Sequence, residues 1–196
     1  LQVRPLLVET ELASASPGER AMVTHLLLAA EQVDRLYSLQ KGTEPLLAKI
    51  PAGDSLSRAL FHRNLGPWCQ GSAAGCFALP GAPFPRPGPV PSPVEGPCGP
   101  LASRTASPFV ALENADGGLA AVPFTVRWKA QMEAVAQHLE AAATAIDSPA
   151  DQPLKAYLAA AAVSFRTNDW DASNAAWLAI GAGSRWYVRV APDEAG

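Results

Sequence analysis

Two short polar runs in the last third of the chain carry the side chains best suited to binding a ligand. Asn168 and Asp169 precede a helical pattern, and Asp193 and Glu194 follow the apolar residues 186–190. A carboxylate at a strand end is a common place for a ligand contact. The same residues have plainer interpretations, a capped helix start and a solvated terminus. From the residues alone, both interpretations stay open.

Sequence motifs for catalysis or metal binding are absent. There is no H-E-x-x-H motif, and the histidines His25, His62 and His138 lie far apart along the chain. There is no G-x-S-x-G motif, and the glycines at residues 181–184 lack the lysine of a phosphate-binding loop. We therefore predict no catalytic residue, no metal ligand and no cofactor site within this chain, and we expect each histidine to be structural or solvated.

The composition restricts the class of partner. The 196 residues are 48% hydrophobic and 17% charged, with a net charge of −3 and no basic stripe. We expect a packed domain that binds neither nucleic acid nor an anionic membrane. The longest uncharged helical stretch, residues 156–165, is about half of what a membrane span requires. Because the chain begins at Leu1 rather than methionine, we expect a processed or engineered product.

The three cysteines, Cys69, Cys76 and Cys98, all lie in one proline- and glycine-rich region. None belongs to a C-x-x-C motif. One disulfide, with Cys69–Cys76 slightly favoured by its short loop, and three free thiols fit these positions about equally well. A disulfide indicates an oxidising compartment, so we predict a secreted or periplasmic location, with the cytoplasm as the alternative.

Capping and turn signals predict the elements in the first two thirds of the chain. Ser16-Pro17-Gly18-Glu19 is a capping box with proline at the first helical position, and it predicts a helix that continues to about Gln40. Asp54 is the predicted cap of a second helix over residues 55–62. The turn residues 114–118 separate two apolar runs and predict a β-hairpin.

Three helices are predicted after the hairpin. They cover residues 124–146, residues 153–165, and a third segment that follows Asn168 and Asp169, either of which could cap it, and is closed by Gly181. Their short connections make them antiparallel neighbours. Alternation over residues 185–190 predicts a C-terminal strand. The predicted fold is mainly α with a small β portion (α+β), consisting of antiparallel helices, a hairpin and a C-terminal strand.

We expect these elements to form one incomplete domain in three parts. Residues 1–65 are an N-terminal helical segment, residues 66–108 are a proline- and glycine-rich extended segment packed on the body, and residues 109–196 hold the hairpin, the three helices and the strand.

The middle segment allows more than one interpretation. Ten of the chain's 19 prolines lie in residues 80–108, which excludes a long helix or an inner strand. A disordered linker is one alternative. We favour an ordered segment anchored by Trp68, Phe77 and Phe84, because proline lowers the entropic cost of ordering. A docking ligand for aromatic grooves is disfavoured because Arg86 is its only charge between residues 80 and 94.

Eight pieces of this sequence, taken in order, resemble a known family. They are Asp34-Arg35-Leu36-Tyr37-Ser38-Leu39-Gln40, Gly66-Pro67-Trp68 with Phe77, Gly81-Ala82-Pro83-Phe84-Pro85, Ser107-Pro108-Phe109-Val110, Asp116-Gly117-Gly118-Leu119-Ala120-Ala121-Val122-Pro123-Phe124, Phe165-Arg166-Thr167-Asn168-Asp169-Trp170, Ser173-Asn174-Ala175-Ala176-Trp177 and Val190-Ala191-Pro192-Asp193-Glu194. Their order and spacing resemble the N-terminal half of the dipeptidyl-peptidase III-like zinc peptidases, especially the bacterial branch that is sometimes fused to Nudix domains.

The resemblance implies a two-lobed protein with a cleft, in which zinc is held by a histidine–glutamate helix downstream of this chain. It implies that Glu194 contacts the free amino terminus of a bound peptide and that Asn168 and Asp169 are also substrate contacts. The family usually has a tyrosine where this chain has Gly196, and a glycine where it has Ala191.

We therefore expect the N-terminal portion of a zinc-dependent peptidase-like hydrolase, which supplies cleft wall and substrate contacts and is inactive alone. Its expected partners are a peptide substrate and a zinc-bearing C-terminal chain from the same precursor. The alternative is a non-catalytic helical binding or scaffold module derived from that fold, an interpretation favoured by Ala191 and Gly196.

Overall fold

The computed structural model describes residues 12–69, 77–82, 109–115 and 118–191. These residues divide into two compact units, and the division falls within the first helix, between Val33 and Asp34. The described part of the chain is mainly helical and has a single two-stranded antiparallel sheet. The predicted fold class is thereby confirmed. None of the described helices is both long and apolar enough to cross a bilayer.

Helix α1, Pro17–Gln40, begins at the predicted capping box. The Ser16 hydroxyl accepts a hydrogen bond from the Glu19 backbone N–H at 3.1 Å, and the Glu19 carboxylate accepts one from the Ser16 N–H at 2.7 Å. The two residues thus satisfy two N–H groups that the helix start leaves without partners. The helix ends just before Gly42, whose φ of 64° lies in the left-handed region that glycine adopts without strain. Both predicted ends are confirmed.

The first unit contains two more helices, α2 (Glu44–Leu47) and α3 (Ser55–Asn64). The Asp54 carboxylate accepts a hydrogen bond from the Ser57 N–H at 3.0 Å, which confirms the predicted cap of α3. Helix α2 was not predicted, because four residues are too few to show a helical period.

Part of the proline- and glycine-rich segment packs in this first unit. Trp68 and Phe77, two of the three predicted anchors, form an antiparallel bridge. Ala78, which follows the bridge, joins Ile50 and Phe61 in a small buried core. The third predicted anchor, Phe84, lies outside the described residues.

Cys69, which follows Trp68, is disulfide-bonded. Of the two alternatives for the cysteines, the structure therefore shows the disulfide, at Cys69. The pairing stays a prediction, because Cys76 and Cys98 lie outside the described residues.

The second unit contains the predicted hairpin. Strands β1 (Val110–Ala115) and β2 (Gly118–Pro123) pair antiparallel, with Val110 opposite Pro123. Two helices follow, α4 (Phe124–Arg127) and α5 (Lys129–Ala145). A single helix was predicted here. It is divided at Trp128, whose φ of −123° and ψ of 39° are not helical. The apolar spacing continues through this residue, so the sequence gives no sign of the break.

Helix α6 (Gln152–Thr167) follows a short 3-10 turn, and α7 (Asp171–Leu178) completes the described elements. Helix α6 packs against both α5 and α7. Lys155, near the start of α6, donates a hydrogen bond to the Ile146 carbonyl at the end of α5, as expected for the predicted antiparallel pair. The buried side chains of α6 form most of one face: Leu154, Tyr157, Leu158, Ala161, Ala162, Ser164 and Phe165.

The predicted C-terminal strand is wrong. Residues 185–190 belong to neither a helix nor a strand, although exposed and half-buried side chains alternate along them as predicted. No strand of the described chain pairs with this segment to supply backbone hydrogen bonds. Alternation of apolar and polar residues shows which side chains face the protein. A β-strand also requires a neighbouring strand that bonds to its backbone.

Candidate functional site

The structure places Asn168 at the end of α6, in the left-handed conformation with a φ of 61°. Asparagine tolerates this conformation better than most residues do, because its short side chain hydrogen-bonds locally. Its Nδ2 donates to the Phe109 carbonyl at 3.4 Å, which ties α6 to the start of β1. Its Oδ1 is buried and accepts no hydrogen bond from any described residue. The acceptor is unsatisfied but shielded from solvent, so substrate binding by Asn168 stays a prediction.

Asp169, the next residue, is exposed. Its Oδ1 accepts a hydrogen bond from the Asp171 N–H at 3.2 Å, and its own N–H donates to the Thr167 hydroxyl at 3.2 Å. Trp170, whose side chain makes no capping hydrogen bond, occupies the N-cap position of α7, so neither Asn168 nor Asp169 is the cap that was predicted. The Asp169 carboxylate lies just before the helix, where its charge stabilises the positive end of α7. A substrate contact by Asp169 also stays a prediction.

An aromatic cluster of Phe109, Phe165 and Trp170 lies beside this junction. The ring of Trp170 meets that of Phe165 edge-on, with centroids 5.1 Å apart, and lies 6.1 Å from that of Phe109. Such tilted contacts add to the stabilisation from burial. The cluster fixes the turn between α6 and α7, and with it the positions of Asn168 and Asp169.

The segment that leads to the acidic end of the chain, residues 184–191, is called the C-terminal strap below. Tyr157 of α6 holds its far end. The Tyr157 hydroxyl donates to the Val190 carbonyl at 3.0 Å and accepts from the Val190 N–H at 2.7 Å. In an antiparallel β-ladder, the N–H and the carbonyl of one residue both bond to the backbone of the residue opposite. Here the Tyr157 hydroxyl takes the place of that backbone and satisfies both groups of Val190. Burial raises the pKa of Tyr157, so the hydroxyl keeps its proton and remains a donor.

Trp177 of α7 contacts three consecutive strap residues. Its indole N–H donates to the Val188 carbonyl at 3.2 Å. The Arg189 guanidinium lies 4.7 Å from the centre of its ring, within the range of a cation–π interaction, and the Tyr187 ring meets it edge-on. Because these contacts come from neighbouring residues, they fix the register of the strap against α7.

The near end of the strap is held by the start of α1. Arg185 forms an ion pair with Glu19 at 2.8 Å. The Ser16 N–H and the charge of Arg185 hold the pKa of Glu19 below its usual value, so the carboxylate stays charged. The strap is therefore fixed at both ends by side chains distant in sequence.

The strap ends at Ala191, three residues before Glu194, which lies outside the described residues. Of the predicted site residues, the structure places Asn168 and Asp169 together at the junction of α6 and α7. Sequence reasoning identified neither Tyr157 nor Trp177 as a site residue. Nothing in their spacing indicates the hydrogen bonds that they make to the strap.

The described ranges contain no group of three or more histidine, cysteine, aspartate or glutamate side chains that could hold a metal ion. The residues seen here therefore do not fit the catalytic zinc that the family resemblance implies, and no chemical step through zinc is assigned to them.

Comparisons with known proteins identify the fold. No family model and no curated protein matches the sequence. Two solved structures do match. Dipeptidyl-peptidase III from Corallococcus sp. strain EGB has 23% sequence identity and a TM-score of 0.74, and the match covers 91% of this chain and 36% of that one. DPP III from Caldithrix abyssi has 22% identity and a TM-score of 0.69, with coverages of 86% and 34%. The chain thus spans about a third of the length of either structure. It resembles part of a dipeptidyl-peptidase III and shares its fold.

Proposed function

We propose that this chain is the N-terminal, cleft-wall part of a dipeptidyl-peptidase III-like hydrolase and that it binds the amino-terminal end of a peptide substrate. The observation that carries the proposal is the shared fold, which extends over 91% of this chain. Because the chain spans about a third of that structure, turnover requires a further part. We assign the catalytic zinc to that part, a C-terminal partner from the same precursor.

Glu194 is the proposed contact to the substrate's ammonium group. A carboxylate that accepts hydrogen bonds from an ammonium forms one of the stronger polar contacts in proteins. The strap supports this role, because Tyr157 and Trp177 hold the chain in place up to Val190. A fixed approach reduces the entropy that a binding residue loses when its ligand arrives. Asn168 and the exposed Asp169 are proposed as further substrate contacts.

The test compares two short peptides of the same sequence, one with a free amino terminus and one that is N-acetylated. Calorimetric titration should show that the chain binds the free peptide at least about tenfold more tightly, a typical effect of a charge-assisted contact. Glu194→Gln should abolish this preference. Asp193→Asn, which removes the neighbouring carboxylate, should retain it.

Three results would reject the peptide-binding proposal: no binding of either peptide, equal binding of both, or an unchanged preference in Glu194→Gln. Any of them favours the alternative function, a non-catalytic helical binding or scaffold module with this fold.

We also propose a secreted or periplasmic location. The disulfide at Cys69 supports it, because disulfides persist in oxidising compartments and are rare in the cytoplasm. Alkylation of protein taken from its source, followed by mass spectrometry, should find one reactive thiol before reduction and three after, since the chain has three cysteines. Three reactive thiols without reduction would instead support the cytoplasm.

A further inference from the structure

Two histidines that lie 113 residues apart in sequence meet in the second unit. The Nδ1 atoms of His25, on α1, and His138, on α5, are 3.4 Å apart. The ring centroids are 5.6 Å apart, and the ring planes are tilted by 33°. Both side chains are only half-buried, so solvent and small ions can reach them. The sequence led us to expect that each histidine would be structural or solvated on its own, and the structure instead pairs two of them.

The two helices that carry this pair are held close together. A Cβ atom added to Gly18 would lie 2.6 Å from the Ala145 carbonyl oxygen, so glycine is required for the approach of α1 to the end of α5. His25 follows Gly18 by seven residues, and His138 precedes Ala145 by seven. The helices therefore run antiparallel, and the histidines meet about two turns from the close contact. Such packing limits how far the two rings can separate.

The distance between the nitrogens fits a shared metal ion as well as it fits a long hydrogen bond. Hydrogen bonds from N–H donors are usually about 2.7–3.2 Å long, slightly shorter than the 3.4 Å seen here. Two imidazole nitrogens on one tetrahedral zinc ion, each about 2.0–2.1 Å from the metal, lie about 3.3–3.4 Å apart. Two ligands at a right angle, as in octahedral coordination, would lie about 2.8–3.0 Å apart at the same bond lengths.

The surroundings of the pair also permit a cation. The residues three and four positions from either histidine carry no charge, so no lysine or arginine within one helical turn repels a metal ion. Five of these eight positions are alanine. They are Ala21, Met22, Leu28, Ala29, Ala134, Val135, Ala141 and Ala142.

We infer that His25 and His138 form a binding site for a zinc-class divalent cation, in which the two Nδ1 atoms are the protein ligands and water completes a tetrahedral shell. Neutral imidazole is the usual ligand of such ions. The bound ion links α1 to α5 and so stabilises the second unit. This inference does not depend on the proposed peptidase function.

The test is a calorimetric titration of the full chain with ZnCl₂ at neutral pH, after free thiols have been alkylated. We expect one equivalent of zinc to bind, with at least about tenfold weaker binding in His25→Ala and in His138→Ala. The matched control is His62→Ala, which removes the third histidine and should leave binding unchanged. Absence of saturable binding, equal weakening in all three variants, or no weakening in either pair variant would overturn the inference.

A second measurement keeps the test valid if an alanine variant folds poorly. Tetrahedral Co²⁺ absorbs visible light much more strongly than octahedral Co²⁺, so it reports the geometry of the site in the wild-type chain. We expect the intense tetrahedral spectrum on addition of CoCl₂, its loss on addition of excess ZnCl₂, and its absence in His25→Gln. A weak octahedral spectrum, or an intense spectrum that persists in His25→Gln, would show that the pair is only a contact between two side chains.

Discussion

Within the second unit, helix α6 and the C-terminal strap touch at Tyr157 but are stabilised by different interactions. Helix α6 buries an apolar face, including Leu158, which is fully inaccessible. No strap residue from Ser184 to Val190 is buried. The strap is held by the Tyr157 hydroxyl and the Trp177 indole, and by contacts that its own two arginines make with Glu19 and with the Trp177 ring. Apolar burial contributes to the cooperative core, whereas a few polar contacts at the surface allow a segment to open by itself.

The largest effect should come from the core. Leu158→Ala should lower the free energy of unfolding by about 2–5 kcal/mol, because it removes apolar contacts and leaves a cavity. Leu178→Ala is the matched control. Leu178 is 76% exposed, and its removal should change the free energy by less than about 0.5 kcal/mol. Urea denaturation measures both. Similar losses in the two variants would mean that α6 is not the centre of the core.

A smaller effect is expected where the strap meets α6. Tyr157→Phe keeps the buried ring but removes the hydroxyl that bonds both polar groups of Val190. The free energy of unfolding should fall by about 1 kcal/mol, the usual net value of a hydrogen bond. Tyr187→Phe is the control, because Tyr187 is 79% exposed. A loss as large as that of Leu158→Ala would show that the strap is part of the core.

Acid should weaken the contact between α5 and α6. Hydrogen bonds from Arg166 hold the pKa values of Glu133 and Glu140 below their usual range. Because folding lowers these two pKa values, the ionised carboxylates stabilise the folded state. This stabilisation is complete when the pH is above the unfolded-state pKa of about 4.3, and it is lost as the pH falls through the lower folded-state pKa. Wild type should therefore exceed Arg166→Met in stability at pH 7, and the difference should shrink towards pH 3.

Because these side chains are partly exposed, the difference at pH 7 should also shrink in high salt. Urea denaturation of both proteins at the two pH values measures the effect. A difference that is constant with pH would mean that Arg166 acts through packing alone.

The smallest effect concerns the cation–π contact of the strap. Arg189→Met keeps an apolar stem over the Trp177 ring but removes the charge. We expect a loss of about 0.5–1 kcal/mol, as for other exposed contacts of this kind. Arg189→Lys, which keeps a cation, should lose less. Urea denaturation followed by tryptophan fluorescence checks the order, and equal losses would exclude a contribution from the charge.

The same contrast explains how much could be predicted from the sequence. The ends of α1 and the cap of α3 were predictable, because a local pattern of serine, proline, aspartate and glutamate determines a helix start. The hairpin was predictable because turn residues separate two apolar runs, and α6 because helical spacing reports burial directly.

The features that escaped prediction depend on residues far apart in the chain. Tyr157 bonds a residue 33 positions away, and His25 meets one 113 positions away, so no local pattern records either contact. The strap was predicted as a strand because its alternation is that of a strand, although side chains supply its hydrogen bonds. Of the candidate site, sequence reasoning identified Asn168 and Asp169 but not the contacts that fix the strap.

The difference between the strap and α6 is tested most directly by native-state hydrogen exchange at two backbone amides, those of Val190 and Leu158, over a range of low urea concentrations. We predict that the Val190 amide exchanges by local opening, with little dependence on urea, whereas the Leu158 amide exchanges by global unfolding and depends strongly on urea. Tyr157→Phe should accelerate the Val190 amide further without making its exchange depend on urea. If instead Val190 and Leu158 share one opening free energy and one urea dependence, the strap unfolds with the helical core and the central distinction is wrong.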